Sequence, residues 1–141
     1  MNNISKTNKL LATMIILAIT VTACTTFVRT SYQTLSSVAT IVDTARNGYN
    51  EFYKAGMVKP ELAAKVEQAY PIYQQSMGLA VQAVKAYQNL AATGVIVSPD
   101  SANLAIQNAQ DKTNELLAVF AEAGGPKVEP VTIEKIVVKG K

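Results

Sequence analysis

Histidine and tryptophan are absent from the 141 residues, and cysteine occurs once, at Cys24. Without histidine the chain lacks the side chain that most often serves as a general base near neutral pH, and the commonest metal-binding nitrogen. A single thiol closes no disulfide within the chain and assembles none of the Cys/His sets that hold zinc. Charge is sparse too, at 16% of residues. The carboxylates Glu61, Glu67, Asp111, Glu115 and Glu122 fall largely off the apolar stripes described below and read as solvated faces. Asp111 and Glu115 stand one helical turn apart, and Lys112 offers Glu115 at most an i,i+3 pairing. No acidic loop has the ligand spacing of a calcium site. Neither a catalytic residue, a metal site nor a cofactor is expected, and an enzyme is the least favoured class.

An excess of one charge is lacking as well. The formal net charge is +3, but Lys6 and Lys9 belong to a distinct N-terminal segment. From Cys24 onward 11 lysines and arginines stand against 10 aspartates and glutamates, leaving +1. A phosphate backbone needs a basic stripe, so nucleic acid is not an expected partner.

What is there begins with the first 24 residues. Lys6 and Lys9 precede an uncharged run over residues 10–23, and Val21-Thr22-Ala23-Cys24 closes it with small side chains before the cysteine. Charge, then apolar residues, then small side chains is the order of an export signal. The run is 14 residues long, whereas a helix needs about 20 apolar residues to cross a bilayer core. A spanning anchor is therefore the weaker reading, and a signal cleaved without lipid is the other alternative. The lone thiol weighs against that second alternative, because in an oxidising compartment it has no internal partner.

The Val-Thr-Ala-Cys ending resembles the lipobox of bacterial lipoproteins. The resemblance covers only the signal, residues 1–23, and the junction with Cys24. It implies cleavage between Ala23 and Cys24, lipidation of Cys24, and permanent attachment through several acyl chains, since one chain alone binds only reversibly. Thr25 stands where an aspartate would direct retention at the inner membrane. The resemblance thus favours the outer membrane, with the protein lipid-anchored in the cell envelope and facing the periplasm.

The remaining 118 residues amount to one domain. Val28, Leu35, Val42 and Tyr49 recur every seventh residue, with Val38, Ala45 and Phe52 three residues after the last three, which predicts a helix over 27–55. Gly56 ends it and Lys54 sits in its last turn. Pro60 and Glu61 open a second helix over 60–92, with the stripe Val66, Tyr70, Tyr73, Met77, Ala80, Val84, Tyr87 and Ala91. Pro71 removes a hydrogen bond and should kink this helix near Glu67, yet the stripe keeps its phase across it, which favours a continuous helix over a break. Ser98-Pro99-Asp100 is a start signal for a third helix over 99–123, carrying Ala102, Ala105, Ile106, Ala109, Leu116, Leu117 and Phe120, and Gly124-Gly125-Pro126 stops it. Short connections between long helices predict an all-α, elongated, antiparallel three-helix bundle over 24–126. The tail, 127–141, is rich in β-branched residues (Val131, Ile133, Ile136, Val137, Val138) and reads as flexible or lightly docked, or as a strand added to the sheet edge of a partner.

Two features of the body bear on function. Tyr32, Tyr49, Tyr53, Tyr70, Tyr73 and Tyr87 lie mostly on or beside the stripes, where they fill a narrow bundle or form an exposed strip for a protein or a glycan. Val95-Ile96-Val97 is an apolar loop that either covers the open end of the bundle or forms a docking tip. The candidate interaction surface is therefore Tyr53, Tyr70, Tyr73, Val95, Ile96 and Val97. The leading expectation is a lipid-anchored envelope protein with a structural or protein-interaction role, held close to the bilayer by a short linker, binding an envelope protein or itself. A binding module for a hydrophobic small molecule between the helices, with Pro71 opening the gap, is the alternative from a second class. A lysis-associated lipoprotein of a phage or plasmid is the third.

Overall fold

The computed structural model describes the backbone of residues 3–132 and the side chains of residues 25–132. The expected cleavage and lipidation site, Ala23 and Cys24, and the tail beyond Thr132 lie outside the described side chains. Three helices follow in order: α1 (Asn3–Lys54), α2 (Pro60–Ala92) and α3 (Asp100–Glu122). Each packs against the other two, which makes an all-α three-helix bundle. The helix expected over 27–55 is the C-terminal part of α1, which ends one residue earlier, at Lys54.

The heptad positions of α1 fall where their spacing places them, with Val28, Leu35, Val38, Val42, Ala45 and Tyr49 buried. Phe52 is the exception at 37% exposed, because the seam runs out at the end of the bundle, where its ring lies beside Gly124. Along α2, Val66, Tyr73, Ala80, Val84 and Tyr87 are buried, joined by Ser76, whose hydroxyl donates to the Tyr73 carbonyl at 2.8 Å. α2 is unbroken across Pro71. The proline lies on the solvent side, where water can satisfy the carbonyl its missing N–H leaves open.

The helix ends follow local chemistry. Lys59 is extended (φ −67°, ψ 142°) and hands the chain to Pro60 at the first helical position. α3 begins at Asp100, one residue later than expected. Ser98 still serves the turn: its hydroxyl donates to Asp100 Oδ2 at 2.6 Å and accepts from the Asp100 N–H at 3.2 Å. At the end of α1, Gly56 takes φ +70°, and the Met57 N–H reaches back to the Phe52 carbonyl at 3.1 Å. The same closure follows α3, with Gly124 at φ +90° and the Gly125 N–H donating to the Phe120 carbonyl at 2.9 Å.

The core divides along the bundle into two clusters bridged by Met77. One joins Phe27, Val28 and Leu35 to Ala80, Val84, Tyr87, Ala102, Ile106 and Ala109, with the loop residue Val97 packed against it. The other joins Val42, Ala45 and Tyr49 to Val66, Tyr73, Leu116 and Phe120. These pairings establish the antiparallel order. Phe27 therefore shares one end of the bundle with the α2–α3 loop, and Tyr49 shares the opposite end with the α1–α2 connection.

After α3 the chain turns back. Val128 and Val131 pack on the second cluster. Asn114 Nδ2 donates to the Val131 carbonyl at 3.0 Å, and the Val131 N–H donates to Asn114 Oδ1 at 2.8 Å. One side chain thus supplies both hydrogen bonds that a neighbouring strand would offer that residue. The described part of the tail is docked, without regular secondary structure.

Candidate interaction surface

Between the C-terminal half of α1 and the first half of α2 lies an open cleft of about 300 Å³. Helical spacing builds both walls. Arg46, Asn50 and Tyr53 recur at i, i+4 and i+7 on α1, a stripe beside the core-facing one that brings Tyr49 to its edge. Across from them stand Val66, Glu67, Tyr70 and Pro71 of α2. Arg46 and Tyr70 join the walls. The guanidinium carbon sits 4.3 Å from the centre of the Tyr70 ring, and Nη1 donates to the Tyr70 hydroxyl at 2.8 Å. Such a stack orders a cation against an aromatic face while leaving further N–H donors for other acceptors.

The rings form a graded series from core to solvent. Phe120 is fully buried, Tyr49 lies against it with ring centres 5.4 Å apart, and Tyr53 lies 6.0 Å beyond Tyr49, 53% exposed. Tyr70 likewise contacts Tyr73 at 5.9 Å. Burial, then the neighbouring Tyr53 and Glu67, raises the Tyr49 hydroxyl above its usual range. Burial, then Asp43 and Tyr70, pushes Tyr73 up to about 12. Both phenols are therefore neutral hydrogen-bonding groups at physiological pH, with no tendency to act as phenolate nucleophiles or bases.

Of the residues expected on the interaction surface, the structure brings Tyr53 and Tyr70 together in this cleft. Tyr73 does not belong with them. It is 6% exposed and part of the core, because it sits at the centre of the α2 stripe and Tyr70 at its shoulder. Val95, Ile96 and Val97 lie at the other end of the bundle. Val97 does cover the core there, but Val95 and Ile96 are 58% and 93% exposed and cover nothing. Tyr49 and Tyr87 are also core residues; Tyr87 meets Phe27 edge-on, with centres 4.7 Å apart. The periodicity that found the helices carried the signal for Arg46 and Asn50 as well, in a second stripe next to the apolar one. A third stripe, Ile72, Leu79 and Leu90 at i, i+7 and i+18, leaves large apolar side chains exposed on α2.

A second open groove, of about 320 Å³, runs between α3 and the docked tail, where Asn114, Leu117, Ala118 and Ala121 face Lys127, Val128, Glu129 and Pro130. No protein-family model matches this chain, and neither the curated proteins nor the solved structures compared with it include a match.

Proposed function

We propose that this is a non-catalytic, lipid-tethered protein of the cell envelope that holds a protein partner in the α1–α2 aromatic cleft. The tether is Cys24, on the signal pattern of residues 1–24, and Thr25 favours the outer membrane. The observation that carries the binding role is the cleft itself, where Tyr53 stands half in solvent on a base of buried rings, beside a cation fixed on Tyr70. Tyrosine and arginine are the side chains that most often anchor protein interfaces, since each offers a large contact area with a polar end. A rigid base lowers the ordering cost of using them.

The test is photo-crosslinking in the native envelope, with a benzoylphenylalanine replacing Tyr53 in the full chain and, as control, replacing the exposed Gln82 of α2. A discrete protein adduct at position 53 that Arg46→Ala weakens is the expected result. Adducts no stronger at 53 than at 82 would refute it. A second reading places an amphipathic small molecule in the same cleft, favoured by Pro71 in its wall. A non-protein adduct at position 53, found by mass, would select it.

A further inference from the structure

The α2–α3 loop leaves Val95 and Ile96 in solvent, and the packing below them fixes which end of the bundle they occupy. Val97 is seated on the cluster that contains Phe27 and Tyr87. From Tyr87, five residues of helix carry α2 to Ala92, about 7.5 Å past the Phe27–Tyr87 contact at 1.5 Å per residue. The loop lies at that end, on the side of Phe27 from which α1 enters the bundle. Cys24 is three residues before Phe27 in the chain. Whatever conformation those residues take, three residues span at most about 11 Å. The expected tether point and the two uncovered apolar side chains therefore leave the same end of the bundle, at comparable heights.

We infer that Val95 and Ile96 insert into the bilayer surface beside the tether, giving the protein a second, non-covalent membrane contact. The inference rests on the reading of Cys24 as lipidated and adds to it the surface that faces the lipid. The occupant follows from the loop's position. Ile96 is the most exposed large apolar residue in the described chain and has no described neighbour to cover it. A short apolar loop held against a membrane loses that exposure to the acyl boundary. Two cations stand near this end, Arg29 two residues beyond Phe27 and Lys85 two residues before Tyr87, both exposed and suited to anionic headgroups, while the Asp100 carboxylate is turned back to the Ser98 hydroxyl.

The experiment uses the full chain purified from membranes and reconstituted into vesicles of phosphatidylethanolamine and phosphatidylglycerol. The chain has no cysteine besides Cys24, so a thiol-reactive nitrobenzoxadiazole dye reports only added cysteines when Cys24 is acylated. Ile96→Cys and, at the far end, Tyr53→Cys are labelled. Both sites are exposed, so neither change endangers the fold. The expected result is blue-shifted emission at position 96, quenched by nitroxide-bearing lipid and shielded from iodide, with the reverse at position 53. Equal iodide quenching at the two positions overturns the inference. So does shielding at 96 that occurs in native membranes but not in pure lipid, which would make the loop a protein contact. Failure of the tether reading has its own signature: the wild-type chain takes up dye at Cys24.

Discussion

Gly48 sits inside α1, where alanine is ordinarily the better residue by roughly 0.5–1 kcal/mol. The structure reverses that expectation. A Cβ built at position 48 would lie 2.6 Å from Cδ and 2.9 Å from Cγ of Pro126, in the segment that crosses α1 before the tail docks. Forcing a methyl group into such a contact costs about 1–3 kcal/mol. The proline ring cannot swing aside as a flexible side chain would, so the clash exceeds the propensity gain and Gly48→Ala should destabilise by about 1–2 kcal/mol. A second substitution isolates the cause. Pro126→Ala deletes the two crowding atoms and keeps its own Cβ, which lies 3.9 Å from the new methyl, an ordinary contact. In that background Gly48→Ala should stabilise by up to about 1 kcal/mol. The two effects have opposite signs, so their coupling is about 2 kcal/mol, well beyond the ~0.5 kcal/mol scatter of independent sites. Urea unfolding of the four full-length proteins in detergent, followed by circular dichroism, measures it. An equal effect of Gly48→Ala in both backgrounds, or a more stable single variant, would refute the packing argument.

Asn114→Ala removes both partners of the half-buried Val131 backbone and should cost about 1–3 kcal/mol, with faster hydrogen exchange at the Val131 amide as its local sign. Ser31 is fully buried and its hydroxyl has no hydrogen-bond partner among the described residues, so Ser31→Ala should leave stability unchanged or raise it by about 1 kcal/mol; a clear loss in thermal unfolding would reveal a hidden partner. Tyr73 gives the pH dependence. Its hydroxyl is raised from 10.0 to about 12, so below pH 10 it is protonated in both the folded and unfolded chain and contributes no slope. Between pH 10 and about 12 the unfolded chain releases this proton and the folded chain keeps it, so stability falls as pH rises through that window. Tyr73→Phe should flatten that fall, which unfolding curves at a series of alkaline pH values will show.

Periodicity and end signals carried the helices because both act locally. α2 runs over the expected residues, and the stripe's unbroken phase across Pro71 was sufficient to choose a continuous helix. The shift at the start of α3 is of the size by which any helix end is ambiguous. Depth was not legible. Tyr70 and Tyr73 occupy one stripe three residues apart, and only the approach of α1 and α3 puts one in the core and the other at the rim. The same holds for Gly48, which in the sequence is simply a weak helix residue, and for Asn114, whose partner is 17 residues away in a tail that the sequence read as flexible, lightly docked or a strand for a partner, without a contact residue for it. Each owes its role to a contact distant in the chain. The Arg46–Tyr70 stack is of this kind too, although the i, i+4, i+7 recurrence of Arg46, Asn50 and Tyr53 was available locally.

The two proposals constrain each other through the length of α1. Nineteen residues separate Phe27 from Arg46 and 26 separate it from Tyr53, about 29 and 39 Å of helix. A lipid on Cys24 alone is a single pivot, and a bundle on one pivot can lie along the membrane as easily as stand from it, which leaves the cleft at no defined height. A second contact through Ile96 at the same end restricts that tilt and carries the cleft about 30–40 Å outward along the helix axis. The partner is then a domain that projects from the membrane, and not the lipid-level loops of a spanning neighbour. Ile96→Asp tests the link. It touches neither the tether nor the cleft, so membrane fractionation should be unchanged, while the Tyr53 crosslink should weaken or spread over several partners. A crosslink at Tyr53 that keeps its strength and its single partner in Ile96→Asp would mean that the loop does not set the height at which the cleft works.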